Sequence, residues 1–111
     1  MQQLKEKLES LRVMTLAKIT SVLQTPTFKK AVKKLKPSQK KELDAAVKAL
    51  MNKPELGEQK KGDRAFLRVH KVKMNKQLTL LGYSFDEGTL TLELMALGSH
   101  EIFYRDIKRR T

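Results

Sequence analysis

Thr89-Leu90-Thr91-Leu92-Glu93-Leu94-Met95-Ala96-Leu97-Gly98-Ser99-His100-Glu101-Ile102-Phe103-Tyr104-Arg105 is the stretch on which the reading of this 111-residue chain turns. Leu90, Leu92, Leu94 and Ala96 recur at every second position, the period of a strand with one face on a core. Gly98 ends the run, and His100, Tyr104 and Arg105 follow at once. A strand that stops at a glycine and presents an imidazole, a phenol and a guanidinium has the parts for acid–base chemistry on a phosphodiester.

Moving upstream, Phe66 to Met74 and Gln77 to Phe85 are also strand-like, and the joins Asn75-Lys76 and Asp86-Glu87-Gly88 are short enough for an antiparallel meander. In the first of these strands Leu67 and Val69 alternate with Arg68 and His70, which predicts the apolar pair toward the helices and Arg68 and His70 on an open face. The alternation slips at Lys71-Val72. His100, emerging beside the neighbouring strand, is then expected near Arg68 or His70, bringing together the two histidines of the chain.

Thr25-Pro26 marks a helix start, with Thr25 as cap and Pro26 at the first helical position. Phe28, Val32 and Leu35 form its apolar stripe; Lys36-Pro37-Ser38 breaks it, and a second helix carries Leu43, Ala46, Val47, Leu50 and Met51. Asn52-Lys53-Pro54 ends this second helix, so residues 26–53 read as a helical hairpin. Leu16 to Leu23 reads as a first strand, Leu56 to Asp63 as a polar loop with two glycines, and Phe103 to Arg110 as a short basic helix or tail. The expected fold is α+β, a small antiparallel sheet packed against an N-terminal helical hairpin in the order β-α-α-β-β-β-α. Residues 1–13, with Leu4, Leu8 and Leu11 at helical spacing, form an N-terminal appendage expected to be helical, and residues 14–111 form the domain.

Twenty-four Lys and Arg against 12 Asp and Glu give a formal charge of +12, which selects for polyanionic or acidic partners. The hairpin alone carries Lys29, Lys30, Lys33, Lys34, Lys36, Lys40, Lys41 and Lys48, either a binding surface or a solvated face. No cysteine is present, which suits a reducing, cytoplasmic setting. No apolar run reaches the roughly 20 residues that span a bilayer, and the first residues lack the apolar core of a signal peptide. No P-loop spacing occurs, the carboxylates of the sheet region are scattered, and two histidines without cysteine make a poor zinc site; no metal and no cofactor are expected. Phe103 and Tyr104 can serve either as a stacking platform for a base or as a plug for the end of the sheet.

From about Lys18 to Arg110 the chain resembles the RelE/ParE superfamily of bacterial toxins. The resemblance rests on the element order and on four stretches: Thr25 to Ala31, Gly57 to Asp63, Leu67 to Lys71, and Leu97 to Asp106. The last is similar to the histidine-bearing ending of the RelE and YafQ-like branches. It implies a toxin of a type II toxin–antitoxin system that acts as a ribosome-dependent, metal-independent mRNA endonuclease. It also implies a cognate antitoxin held in a hetero-oligomer, the ribosome and mRNA as partners, and no role for a membrane. Carried over, it points to Arg68, His70, His100, Tyr104 and Arg105 as catalytic and to Lys60, Lys61, Arg64, Lys71 and Phe103 as substrate-binding. Gln77 stands where some RelE proteins carry an arginine, and Ile102 where a polar residue is common. Two alternatives stand beside this reading: a ParE-like inhibitor of DNA gyrase, and a non-catalytic RNA- or ribosome-binding protein.

Overall fold

The computed structural model describes residues 19–110. The appendage expected over 1–13, the domain start at Met14 and the first part of the first strand, residues 16–18, lie outside the described residues. Within them the chain forms β1 (Ser21–Gln24), α1 (Pro26–Lys33), α2 (Pro37–Asn52), β2 (Glu58–Gln59), β3 (Arg68–Met74), β4 (Gln77–Asp86), β5 (Thr91–Gly98) and α3 (His100–Arg110), with 3-10 turns at Pro54–Leu56 and Gly62–Arg64. The five strands make one sheet in the order β1-β5-β4-β3-β2. β3, β4 and β5 form the expected antiparallel meander, and β1 joins it parallel to β5, Ser21 opposite Thr91. No helix among the described residues is long and apolar enough to cross a membrane.

The helical hairpin forms as its pattern predicts, with one shift. Thr25 caps α1 by accepting the Phe28 N–H at 3.1 Å, while its own hydroxyl donates to the Met95 carbonyl at 2.8 Å, so a single buried side chain both starts a helix and ties it to β5. Pro37 opens α2 instead of merely breaking α1, because proline at a first helical position forfeits no hydrogen bond. The second helix therefore begins six residues before Leu43. The C-terminal segment is a helix from His100 onward, seated on the Ser99 carbonyl, which accepts the Phe103 N–H at 2.8 Å.

Both faces of the sheet are covered, and this corrects two expectations. One face meets α1 and α2 through Phe28, Leu43, Leu50, Leu81, Tyr83, Leu92, Leu94 and Leu97; the other meets α3 through Leu67, Val69, Leu80, Met95, Ala96, Phe103 and Ile107. Leu67 and Val69 thus lie under α3, not under the hairpin. Arg68 and His70 sit opposite Tyr83 and Leu81 in the β3–β4 ladder and share the hairpin side of the sheet with Val72 and Met74. On β5 the ladder pairs Leu94 with Tyr83 and Ala96 with Gly82, leaving Met95 as an extra, bulged residue. The bulge moves Ala96 onto the α3 face, off the face of Leu92 and Leu94 to which strict alternation assigns it, and Leu90 falls in the turn before the strand.

Gly82 makes the α3 contact possible. A Cβ there would stand 2.6 Å from the Cε1 and Cζ atoms of Phe103, so the bare backbone is what lets the Phe103 ring reach the sheet.

Candidate functional site

α3 lies along its face of the sheet with Phe103 and Ile107 turned inward and fully buried. His100 and Tyr104, four residues apart, share one flank of the helix. Their rings are 4.8 Å apart between centroids and tilted by 51°. His100 is exposed and Tyr104 half-buried, with Phe103 edge-on to Tyr104 at 5.0 Å.

The second part of the site comes from the segment between α2 and β3. The Lys60 N–H donates to the Leu67 carbonyl at 2.9 Å, which fixes the backbone there, and the Lys60 Nζ stands 5.7 Å from the centroid of the Tyr104 ring. The Tyr104 side chain raises the pKa of the Lys60 ammonium, a group that is cationic near neutral pH even at its ordinary value. Lys61 is exposed next to it. Lys71, exposed and paired with Leu80 in the ladder, projects from the same face of the sheet.

Tyr83 sets the position of this segment from beneath. Its buried hydroxyl donates to the Pro54 carbonyl and accepts the Gly57 N–H at 2.8 Å. Burial pushes its pKa up, so the phenol keeps the proton it donates. Gly57 packs so closely that a Cβ would meet the Tyr83 ring and hydroxyl at 2.8 Å. The alternating pattern of β4 marks Tyr83 only as one more inward residue; the signal available in sequence is a polar-tipped aromatic within an apolar run.

The remaining expected site residues separate from this array. Arg68 donates through one guanidinium nitrogen to the carbonyls of Gly57, at 2.9 Å, and Glu55, at 3.3 Å, so it clamps the 54–59 segment from the hairpin side. His70, on that same side, is partly buried, and desolvation lowers its pKa. The sheet stands between His70 and the α3 flank, so the two histidines do not converge. Phe103 is fully buried and acts as the plug of the α3 core; its ring has no face free for a base. Arg105 is exposed, pairs with its neighbour Asp106 at 3.5 Å and borders a groove with Ile102, away from the Lys60 side of the helix. Arg64 is half-buried in the turn preceding β3, and its Nε has no hydrogen-bond partner.

Among the clefts of the described surface, two lie at opposite ends of the sheet. One, of about 510 Å3, runs between α1, the start of β4 and α3 and includes Lys30, Lys34, Leu78 and Ile102. The other, of about 790 Å3, lies at the opposite end of the sheet between Phe66, Phe85 and Leu90. Neither is lined by His100, Tyr104 or Lys60. The imidazole–phenol–ammonium array lies on the surface, with His100 exposed and Tyr104 and Lys60 half-buried. Chemically it offers an imidazole and an ammonium, each against the same phenol ring.

Residues 22–108 match the family described as ParE-like toxin of type II bacterial toxin–antitoxin system. Among solved structures, the chain is similar to the isolated RelE toxin of E. coli, with a TM-score of 0.58 at 15% identity over 82% of this chain and 98% of that one. It is also similar to a chain of the RelBE2 toxin–antitoxin complex of Mycobacterium tuberculosis, with a TM-score of 0.51 at 20% identity over 72% and 90% of the two chains. A third is a chain of the archaeal RelE–RelB complex of Pyrococcus horikoshii, with a TM-score of 0.52 at 15% identity over 73% and 94%. At such identities the likeness is one of fold. No curated protein matches the chain.

Proposed function

Because this chain belongs to the ParE-like toxins of type II bacterial toxin–antitoxin systems, we propose that it arrests translation as an endoribonuclease that cuts messenger RNA held on the ribosome. The reading is supported by the placement of His100, Tyr104 and Lys60 on one open flank of α3. In this scheme the ribose 2′-oxygen attacks the adjoining phosphorus and gives its proton to water. The bond to the 5′-oxygen breaks, and the His100 imidazolium protonates that leaving oxygen, so the products are a 2′,3′-cyclic phosphate and a 5′-hydroxyl. Lys60, its pKa raised further by the Tyr104 side chain, stabilises the phosphorane with Lys61 and Lys71. Tyr104 holds the imidazole and the ammonium at their positions.

His70, which the resemblance points to as catalytic, takes no part in this scheme, because it lies on the hairpin side of the sheet. In-line geometry comes from the ribosome, so the free protein is a poor nuclease. The lysines of α1 and α2 meet ribosomal RNA phosphates, and binding weakens steeply with salt. The similar RelBE2 structure of Mycobacterium tuberculosis is a toxin–antitoxin complex. We extend that pairing to a cognate antitoxin for this chain, and the cytoplasm, where ribosomes work, is its location.

The ParE-like description of the matched family favours one second reading, inhibition of DNA gyrase without RNA cleavage. Primer extension on a reporter mRNA after induction separates the two. Cuts inside translated codons that fall about 10²–10⁴-fold in His100→Ala support the nuclease. Growth arrest without cuts, persisting in His100→Ala, moves the target to gyrase.

A further inference from the structure

The cleft at the far end of the sheet from α3's first turn is unusual for this molecule in both polarity and charge. Its apolar part is Phe66, 46% exposed, with Ala65, Phe85 and Leu90; Phe85 continues the hairpin-side core. Its rim carries Glu55, Asp86 and Glu87, three of the 12 acidic residues of a +12 chain. Arg68, the one cation in the lining, is committed to the Glu55 and Gly57 carbonyls. Leu90 holds a φ of +54° in the turn before β5, a backbone conformation that glycine adopts without strain, and the side chain kept there forms a wall of the cleft.

The chain enters the described structure at this wall. The Thr20 N–H donates to the Leu90 carbonyl at 2.9 Å, and the Thr20 hydroxyl to the Thr89 carbonyl at 3.1 Å. From β1 to β4, which carries Phe85, is two strand spacings, about 10 Å. Eighteen residues precede Ile19, and six of them, fully extended, reach about 20 Å. Those eighteen carry Lys5, Lys7, Arg12 and Lys18 against Glu6 and Glu9, a net positive segment, and repeat leucine at positions 4, 8 and 11.

We propose that the cleft bounded by Phe66, Phe85 and Leu90 is a docking site for this chain's own residues 1–18, which set Leu4, Leu8 and Leu11 on the exposed rings and Lys5, Lys7 and Arg12 on the acidic rim. The other groove is less suited to the same segment, because Lys30 and Lys34 line it, Arg105 there being paired with Asp106, and repel a cationic segment.

Methyl-to-aromatic nuclear Overhauser effects in the full-length chain test this. With the leucine methyls and phenylalanine rings labelled, cross-peaks from Leu4, Leu8 or Leu11 to Phe66 and Phe85 are expected at low salt. They should be lost in Glu55→Lys/Glu87→Lys, while cross-peaks within the hydrophobic core persist. Phe66→Ser, a change at an exposed position, should also abolish those to Phe85. Cross-peaks to Leu78 or Ile102, cross-peaks only between differently labelled copies, or no cross-peaks to either ring would each overturn the proposal.

Discussion

The two faces of the sheet are built to different specifications. The hairpin face lies beneath α1 and α2 and buries Phe28, Leu43, Leu50, Tyr83, Leu92 and Leu94, with Val22, Val32, Leu35, Val47 and Met51 packed around them. The α3 face is covered by a single helix, held mainly by Phe103 and Ile107. Its rim carries the imidazole, the phenol and the ammonium. In the function proposed for this chain the thicker layer holds most of the core and the thinner one presents the chemistry, which would let a domain of this size expose a reactive surface without losing its core.

Matched truncations put that division under the greatest load. Phe28→Ala and Phe103→Ala each remove a fully buried ring, a cost of about 3–5 kcal/mol. Phe28→Ala should lower the denaturation midpoint of the whole chain, whereas Phe103→Ala should first release the α3 amides to hydrogen exchange while β3–β5 stay protected. Equal loss of protection in both variants would mean that the faces are not separable. A smaller test sits at Gly82, where alanine forces its methyl against Phe103 and should cost about 1–3 kcal/mol. Adding Phe103→Leu should recover part of that loss, as measured by urea denaturation.

Tyr83→Phe probes the link between the faces, because the hydroxyl anchored on the hairpin side positions the segment that carries Lys60. Leaving the Gly57 N–H and the Pro54 carbonyl unpaired should cost about 1–3 kcal/mol. In the same variant the Lys60 ammonium, followed by NMR titration, should move back toward its ordinary pKa. Thr25→Ala removes the cap of α1 and should cost about 1 kcal/mol, with no change in the Lys60 titration.

The smallest expected effect is a pH slope. His70 has its pKa lowered by desolvation, so the unfolded chain binds its proton more readily than the folded one does. The stability due to keeping it neutral is fully present above its unfolded value near 6.5 and is lost as pH falls through the folded value. Urea midpoints should therefore drop slightly between pH 7.5 and 5.5, and His70→Gln should flatten that part of the slope.

Elements whose apolar stripe faces a single partner were readable in the sequence. Leu43, Ala46 and Leu50 mark α2 by spacing alone, and Thr25-Pro26 marks the start of α1. β3 resists such reading because its two ends are covered by different layers: Leu67 and Val69 serve α3, then Val72 and Met74 serve the hairpin. The slip at Lys71-Val72 is the trace of that exchange, and the alternation of Leu67 and Val69 before it is why Arg68 and His70 are expected on an open face. β5 hides its bulge for a related reason, since Met95 and Leu97 are as apolar as the residues they displace. Two-residue β2 has no pattern long enough to detect. In the site, His100 and Tyr104 were legible as residues, but their convergence with Lys60 depends on the Tyr83 staple, a contact across 26 positions that local spacing does not encode.

The parallel pairing of β1 with β5 gives this protein a schedule. The capping hydroxyl of Thr25 finds its acceptor 70 residues downstream, and Ser21 finds its ladder partner at Thr91. At about 5–20 residues per second, a ribosome needs about 4–14 s to make that interval. Through it β1 has no ladder partner and α1 no anchor on the sheet, and the helix bearing His100 follows β5. The sheet closes only after β5 has been made, so each copy of a protein proposed to stop ribosomes is inert until the ribosome that makes it has passed β5 and the helix bearing His100.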